Sequence, residues 1–415
     1  MRQSPSSARR RGSRAGTVEG PGTSYTGQVT PPALTAADSR APASVHFEGL
    51  WLFSPRVDVS LLLLPALLTL FSVWLAGLTG EGVGGYAQAL GRWSSQYIFF
   101  NTTHVILTFL LVGTRRELLH TTPSQARLLV GGSAGVFALA FGLLWYAGGQ
   151  APRLNLLVAA GIHVLAAHHT LSQVKGLWAL HGLRARAAGV PSLSESERQL
   201  QRLFVPLALG LMMVRTLAVP MTSAPGDFPM VNVGQAEGGA LPYALTWVLL
   251  AVWAVYGGLL GAALRGASGV SGPRRLYLLG HVAVVAVYLV WPVWGMMLGA
   301  GIHGLEYFFL SGRMLEATPR ETESRLRGGR VWAAMGLAIL PLFLVGVAQS
   351  PFVPLVDTAT GGAASSFLLR QQPLWSLGLT ATNALVLAHY FADAFLYRFR
   401  IPKVREVTLG RLGLS

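Results

Sequence analysis

The sequence predicts an all-α membrane protein, a polytopic helical bundle of about ten spans with both termini in the cytoplasm. Three observations predict it. Of 415 residues, 52% are hydrophobic and only 12% charged, about half the roughly 25% charged residues of a soluble chain. Apolar runs near the ~20 residues needed to cross a bilayer as a helix recur along the chain. Basic residues cluster in alternate gaps between those runs, as the positive-inside rule requires.

The chain opens with residues 1–47, rich in Ser, Arg, Gly, Pro and Thr. This composition cannot bury a core and predicts a disordered, basic cytoplasmic tail. Arg2, Arg9, Arg10, Arg11 and Arg14 are followed by no apolar stretch of the secretory-signal kind. His46, Phe47, Leu50, Trp51, Leu52 and Phe53 form an interfacial lead-in to a transmembrane domain over 48–400. Its predicted spans are 57–78, 94–113, 128–147, 154–174, 203–221, 241–264, 276–292, 295–312, 331–348 and 375–397. The run 276–312 is divided at Pro292, which interrupts a helical ladder. Arginines precede it (Arg265, Arg274, Arg275) and follow it (Arg313, Arg320, Arg325), so both ends belong on one side and two spans are required. Eight spans follow instead if one segment is re-entrant. Outer loops over 222–240 and 349–374 carry turn-forming residues, and 401–415 reads as a cytoplasmic tail. Arg215, toward the outer end of its span, is expected to snorkel to the headgroups.

The net charge of +15 is spread through loop clusters with no basic tract, so it reports topology and not nucleic-acid binding. Cysteine is absent, which removes disulfides, Cys-ligated zinc, iron–sulfur clusters and thiol nucleophiles. There is no H-E-x-x-H box and no Walker A loop.

What the apolar runs do contain is histidine. His104 lies eleven residues before Arg115, His163 twelve before Lys175, His303 ten before Arg313 and His389 nine before Arg398. At 1.5 Å per residue these four sit about 14–18 Å from the cytoplasmic boundary, at one shared depth. His168, His169, Glu306 and Asp393 form a second layer closer to the cytoplasm, joined by His281. His303 and Glu306 are three apart, and His389 and Asp393 four apart, so each pair shares a helix face. His163 and His168 are about 140° apart around their helix, whereas His169 and Gln173 share a face. Ionisable groups at membrane depth face a bundle interior, a cavity or a metal. The expected metal ligands are His104, His163, His303 and His389, with His168, His169, Glu306 and Asp393 as further ligands or their partners. Asn101, Gln173, His281, Tyr307 and Asn383 are expected beside them or against substrate. His120 and His181, near loops, are expected to be solvated.

Imidazole with a minority of carboxylate suits iron, zinc, copper or nickel. This set, with the pair His168-His169, resembles the membrane histidine-cluster iron enzymes: fatty acid desaturases and hydroxylases, and bacterial membrane carotenoid-cleaving dioxygenases. The desaturase H-x-x-x-H and H-x-x-H-H boxes are missing, and the carotenoid-cleaving group is the better match in placing histidines within spans. The closing run from His389 to Pro402 resembles the ending of other bacterial polytopic membrane proteins. The resemblance implies a mono- or dinuclear non-haem iron oxidoreductase in a bacterial cytoplasmic membrane. It would act on a lipid or isoprenoid and draw electrons from a donor protein. Two other readings stay open: a transporter using the same groups as a proton or ion relay, and a haem-binding electron-transfer subunit with two axial histidines.

Overall fold

The computed structural model describes residues 50–79, 82–114, 123–150, 152–190, 192–218, 240–266, 271–316, 328–348, 372–396 and 402–412. The N-terminal tail, His46, His120 and nearly all of the two long loops lie outside the described residues. Every described element is helical: α1 Pro55–Thr79, α2 Gly82–Thr102, α3 Ile106–Thr114, α4 Pro123–Gln150, α5 Pro152–Ala187 and α6 Glu195–Ala218. They are followed by α7 Ala240–Gly266, α8 Gly272–Val290, α9 Pro292–Leu315, α10 Gly329–Ala348, α11 Gln372–Leu396 and α12 Pro402–Arg411.

Among the described residues, seven helical stretches are long and apolar enough to cross a membrane, including α1, α4, α7 and the combined run Ala89–Thr114. Of the remaining helices, α5, α9 and α11 carry most of the deep histidines. α1 shows how such a helix is sided. Leu61, Pro65, Thr69, Ser72 and Ala76 recur at helical spacing and are buried. Leu63, Leu67, Leu70, Phe71, Trp74 and Leu78 are exposed. A contiguous apolar face of this kind is what lipid, and not water, would cover.

α9 is the central helix. It packs against α1, α2, α3, α5, α8, α10 and α12. The apolar run before and after Pro292 is two helices, joined at Trp291. Pro292 starts α9, where its missing N–H is one the helix would leave unpaired anyway. The turn is tight: a Cβ on Gly295 would collide with the backbone of Tyr288, so only glycine permits that approach. Two further glycines of α9, Gly301 and Gly304, make room for the side chains of Tyr97 and Asn101 from α2. Small residues let helices approach closely in lipid, and this contact carries the end of α2 onto the middle of α9.

Arg215 does not reach outward. It is 4% exposed, and its Nε donates to the Leu289 carbonyl at 2.8 Å. The last carbonyls of α8 lack helical partners, and a cation there also meets the negative end of the helix dipole. Between α5, α6 and α8, Glu197 pairs with Arg274 at 3.3 Å and accepts from Trp178 Nε1 at 2.8 Å. Both ions of the pair are buried. Residues 402–411, expected as a plain tail, are helical, and Arg411 donates to the Met314 and Glu316 carbonyls at the end of α9.

Candidate metal centre

Four elements converge on one point. Between α2 and α3 the helix tightens into a 3₁₀ turn over Thr103–Val105. There the His104 ring takes up the Asn101 carbonyl, with Nδ1 at 2.5 Å. A carbonyl only accepts, so Nδ1 carries the proton and Nε2 presents a lone pair. That Nε2 is buried and has no hydrogen-bond partner among the described residues.

His389 of α11 is oriented the same way by a different device. Its Nδ1 lies 2.5 Å from Thr108 Oγ1. Thr108 in turn lies 3.0 Å from Asp393 Oδ1 and also contacts the Tyr307 hydroxyl. Tyr307 donates to the same carboxylate oxygen at 2.9 Å. If Thr108 gives its single proton to Asp393, it accepts from His389 Nδ1–H. This again leaves Nε2 as a buried lone pair without a partner. A carboxylate that fixes an imidazole through an intermediate is the outer support that metal-binding histidines require.

His303 of α9 and His169 of α5 complete the group. His303 Nδ1 and His169 Nε2 are also buried without hydrogen-bond partners among the described residues. The ring centres of His104–His303, His303–His169 and His169–His389 are each 4.9 Å apart, and His389–His104 closes the ring at 5.4 Å. Two imidazoles on one ion, with bonds of about 2.1 Å, place their centres about 4.6 Å apart at right angles and about 5.3 Å at the tetrahedral angle. Three of the observed spacings fall in that range, and His389–His104 lies just above it. Ligand atoms of His104, His303 and His389 lie within 4.8 Å of one another, as do those of His169, His389 and Asp393. Asp393 Oδ2 is 3.7 Å from His169 Nε2, able to add an oxygen to four nitrogens. Four buried imidazole nitrogens with nothing to bond would be costly in any apolar interior. A transition metal is the group this donor set fits.

His163 is not in this group. Its Nε2 contacts the Tyr288 hydroxyl at 3.2 Å. The expected depth of His163 took Lys175 as the end of its span, but α5 continues to Ala187. The residue level with His104, His303 and His389 is therefore six positions later, His169, about 9 Å along the axis. His168, its neighbour, is exposed, lines the larger cavity beside His169 and belongs to no potential ligand group among the described residues. Glu306 is also turned elsewhere, accepting from Gln173 Nε2 at 2.9 Å and lying 3.3 Å from His281 Nε2. Gln173 Nε2 also reaches the His303 carbonyl at 3.1 Å, tying α5 to α9 beside the site. Asn383 lines a neighbouring cavity. His181 is 3% exposed and packs on Tyr277, so it is not solvated. Thr108 was not singled out by sequence; a threonine in an apolar helix is ordinary, and only its three contacts across helices give it away.

No family model, no curated protein and no solved structure matches this chain. The geometry must therefore speak for the function. Two cavities flank the histidines. One of about 280 Å³ lies between α2, α5, α8, α9 and α11, with His104 and His303 in its wall. The other, about 610 Å³, has His169 and Asp393 in its wall, and Tyr390 lines both. Tyr390 also stacks on His169, ring centres 4.4 Å apart. Both cavities are lined mainly by aliphatic and aromatic side chains, as sites for apolar ligands are.

Proposed function

We propose that this chain is a membrane-embedded metal-dependent oxidoreductase that acts on a lipid-soluble substrate, with iron as the preferred metal. The observation that carries the reading is the set of buried, unpartnered imidazole nitrogens on His104, His169, His303 and His389, which fall into two potential ligand groups, His104/His303/His389 and His169/His389/Asp393, sharing His389. These residues would hold the ion, with Asp393 beside it and Thr108 and Tyr307 fixing His389. When bound, iron would supply redox chemistry and activation of dioxygen, for which a set of imidazoles with one carboxylate is suited. The protein's part is to exclude water, orient the ligands through Asn101 and Thr108, and admit an apolar substrate from the bilayer into the flanking cavities. The spacing of the four rings favours a single ion over a porphyrin, which would need the volume the rings occupy. The topology proposed with this function is ten spans, both termini cytoplasmic, in a bacterial cytoplasmic membrane. Electrons would come from a donor protein.

The test is a visible absorption spectrum and elemental analysis on one sample purified in mild detergent. Stoichiometric iron without a Soret band supports the proposal. A Soret band, or no metal in folded protein after reconstitution, refutes it. A second reading, a proton relay, is favoured by one observation: His281 contacts Glu306, and the rings of His281, Tyr277 and His181 follow one another at 4.5 and 5.1 Å. It predicts proton flux in metal-free proteoliposomes that Glu306→Gln abolishes.

A further inference from the structure

The metal centre leaves one hydrogen-bonded chain in the smaller cavity without a role. His163 Nε2 lies 3.2 Å from the Tyr288 hydroxyl, which lies 2.7 Å from Thr216 Oγ1. Thr216 gives its only proton to the Met212 carbonyl at 2.9 Å, since a carbonyl cannot donate. Tyr288 therefore donates to Thr216 and accepts from His163. This fixes His163 with its proton on Nε2 and a lone pair on Nδ1. No described residue bonds that Nδ1, although His163 is only 9% exposed and forms part of the cavity wall.

The chain is also held rigidly. Tyr288 sits at the α8–α9 turn, where its backbone is pressed against Gly295. His163 is six residues from His169 on the same helix, so this polar end lies about 9 Å along the helix axis from the metal ligands. The rest of the wall is mostly apolar, with Ile98, Ala166, Val284, Met296 and Val386, and Thr102, Thr170 and Asn383 as its further polar members. A mostly apolar cavity with candidate metal ligands and an unpaired acceptor about 9 Å apart along the helix axis suits an elongated apolar molecule with a polar group.

We propose that this cavity binds an apolar, elongated ligand bearing one hydroxyl group, whose O–H donates to His163 Nδ1 while its hydrocarbon body extends toward His104 and His303. A ketone or ether has no proton for that lone pair, and a carboxylate would oppose it with another lone pair. His163 is thus a specificity-determining residue and Tyr288 a positioning residue that sets its tautomer. The assignment rests on the cavity being the substrate chamber of the proposed metal site.

The test titrates purified full-length protein in detergent with farnesol, farnesyl methyl ether and farnesane, following tryptophan fluorescence, with metal content measured on the same samples. Farnesol should bind about tenfold more tightly than either analogue, the size expected when a buried acceptor is paired or left unpaired. His163→Phe should bind all three alike while keeping the wild-type metal content. Tyr288→Phe, which keeps the ring and removes the acceptor that holds the tautomer, should shrink the preference several-fold and decides the matter if His163→Phe fails to fold. Equal binding of the three probes by wild type, or a farnesol preference that survives in Tyr288→Phe, overturns the proposal. A farnesol preference in wild-type protein that never takes up metal would keep the ligand assignment and sink the oxidoreductase reading alone.

Discussion

Thr108→Val tests whether the buried hydroxyl network exists to hold His389 for a metal. The substitution keeps the β-branched shape and removes one oxygen, which has three partners: His389 Nδ1 at 2.5 Å, Asp393 Oδ1 at 3.0 Å and the Tyr307 hydroxyl. Tyr307 keeps its bond to Asp393, so the carboxylate is still served. His389 Nδ1–H is the group left alone. An unpaired buried donor costs about 1–3 kcal/mol, and Asp393 Oδ1, 3.6 Å from Nδ1, lets part of that be recovered by a small ring movement. The apo protein should therefore lose about 1–2 kcal/mol of stability. Metal affinity should fall about 10-fold, toward the lower end of the 10–100-fold range for lost outer support. Thr108→Val with Asp393→Asn should lose more than either single change, and not additively, because the two residues share one partner. The assay is competition against a chelator of known affinity, alongside thermal unfolding in the same detergent. Unchanged metal affinity with reduced stability would refute the reasoning, because the network would then serve folding alone.

Three further predictions concern helix packing. Gly304→Val should lower stability by about 1–3 kcal/mol through overpacking and reduce metal uptake, because a Cβ there meets the Asn101 side chain just before His104. Gly77→Ala, with nothing within 4 Å of the added atom, should be neutral or slightly stabilising in the same melting experiment. Glu197→Gln should destabilise by about 3–5 kcal/mol, since it strands a buried Arg274, and adding Arg274→Met should recover much of the loss.

The helical class was plain from composition and run length, and the break at Pro292 from one residue and the arginines around it. His104, His303 and His389 could be set level because a basic residue closes each segment close to where its helix ends. His163 was set level by the same rule and is not, because Lys175 lies within a helix that runs on to Ala187. Hydropathy marks where polarity begins, which on a long helix is not where the helix stops. The i, i+4 spacing of His389 and Asp393 does bring them within 3.6 Å. The i, i+3 spacing of His303 and Glu306 gives no such meeting, because Gln173 and His281, from two other helices, take the carboxylate. Periodicity fixes the face a side chain occupies; its partner depends on neighbours that no local pattern contains. Arg215 and His181 depart from their expected exposure for a related reason. Each sits near a span end, where exposure is the usual outcome, and each is covered by a packed helix instead.

The most direct test of the central claim is the metal content per chain of wild type and of single alanine variants at His104, His163, His168, His169, His303 and His389. The account predicts about one equivalent of metal in wild type, near-complete loss at His104, His169, His303 and His389, and retention at His163 and His168. Loss of metal in His163→Ala with retention in His169→Ala would contradict it.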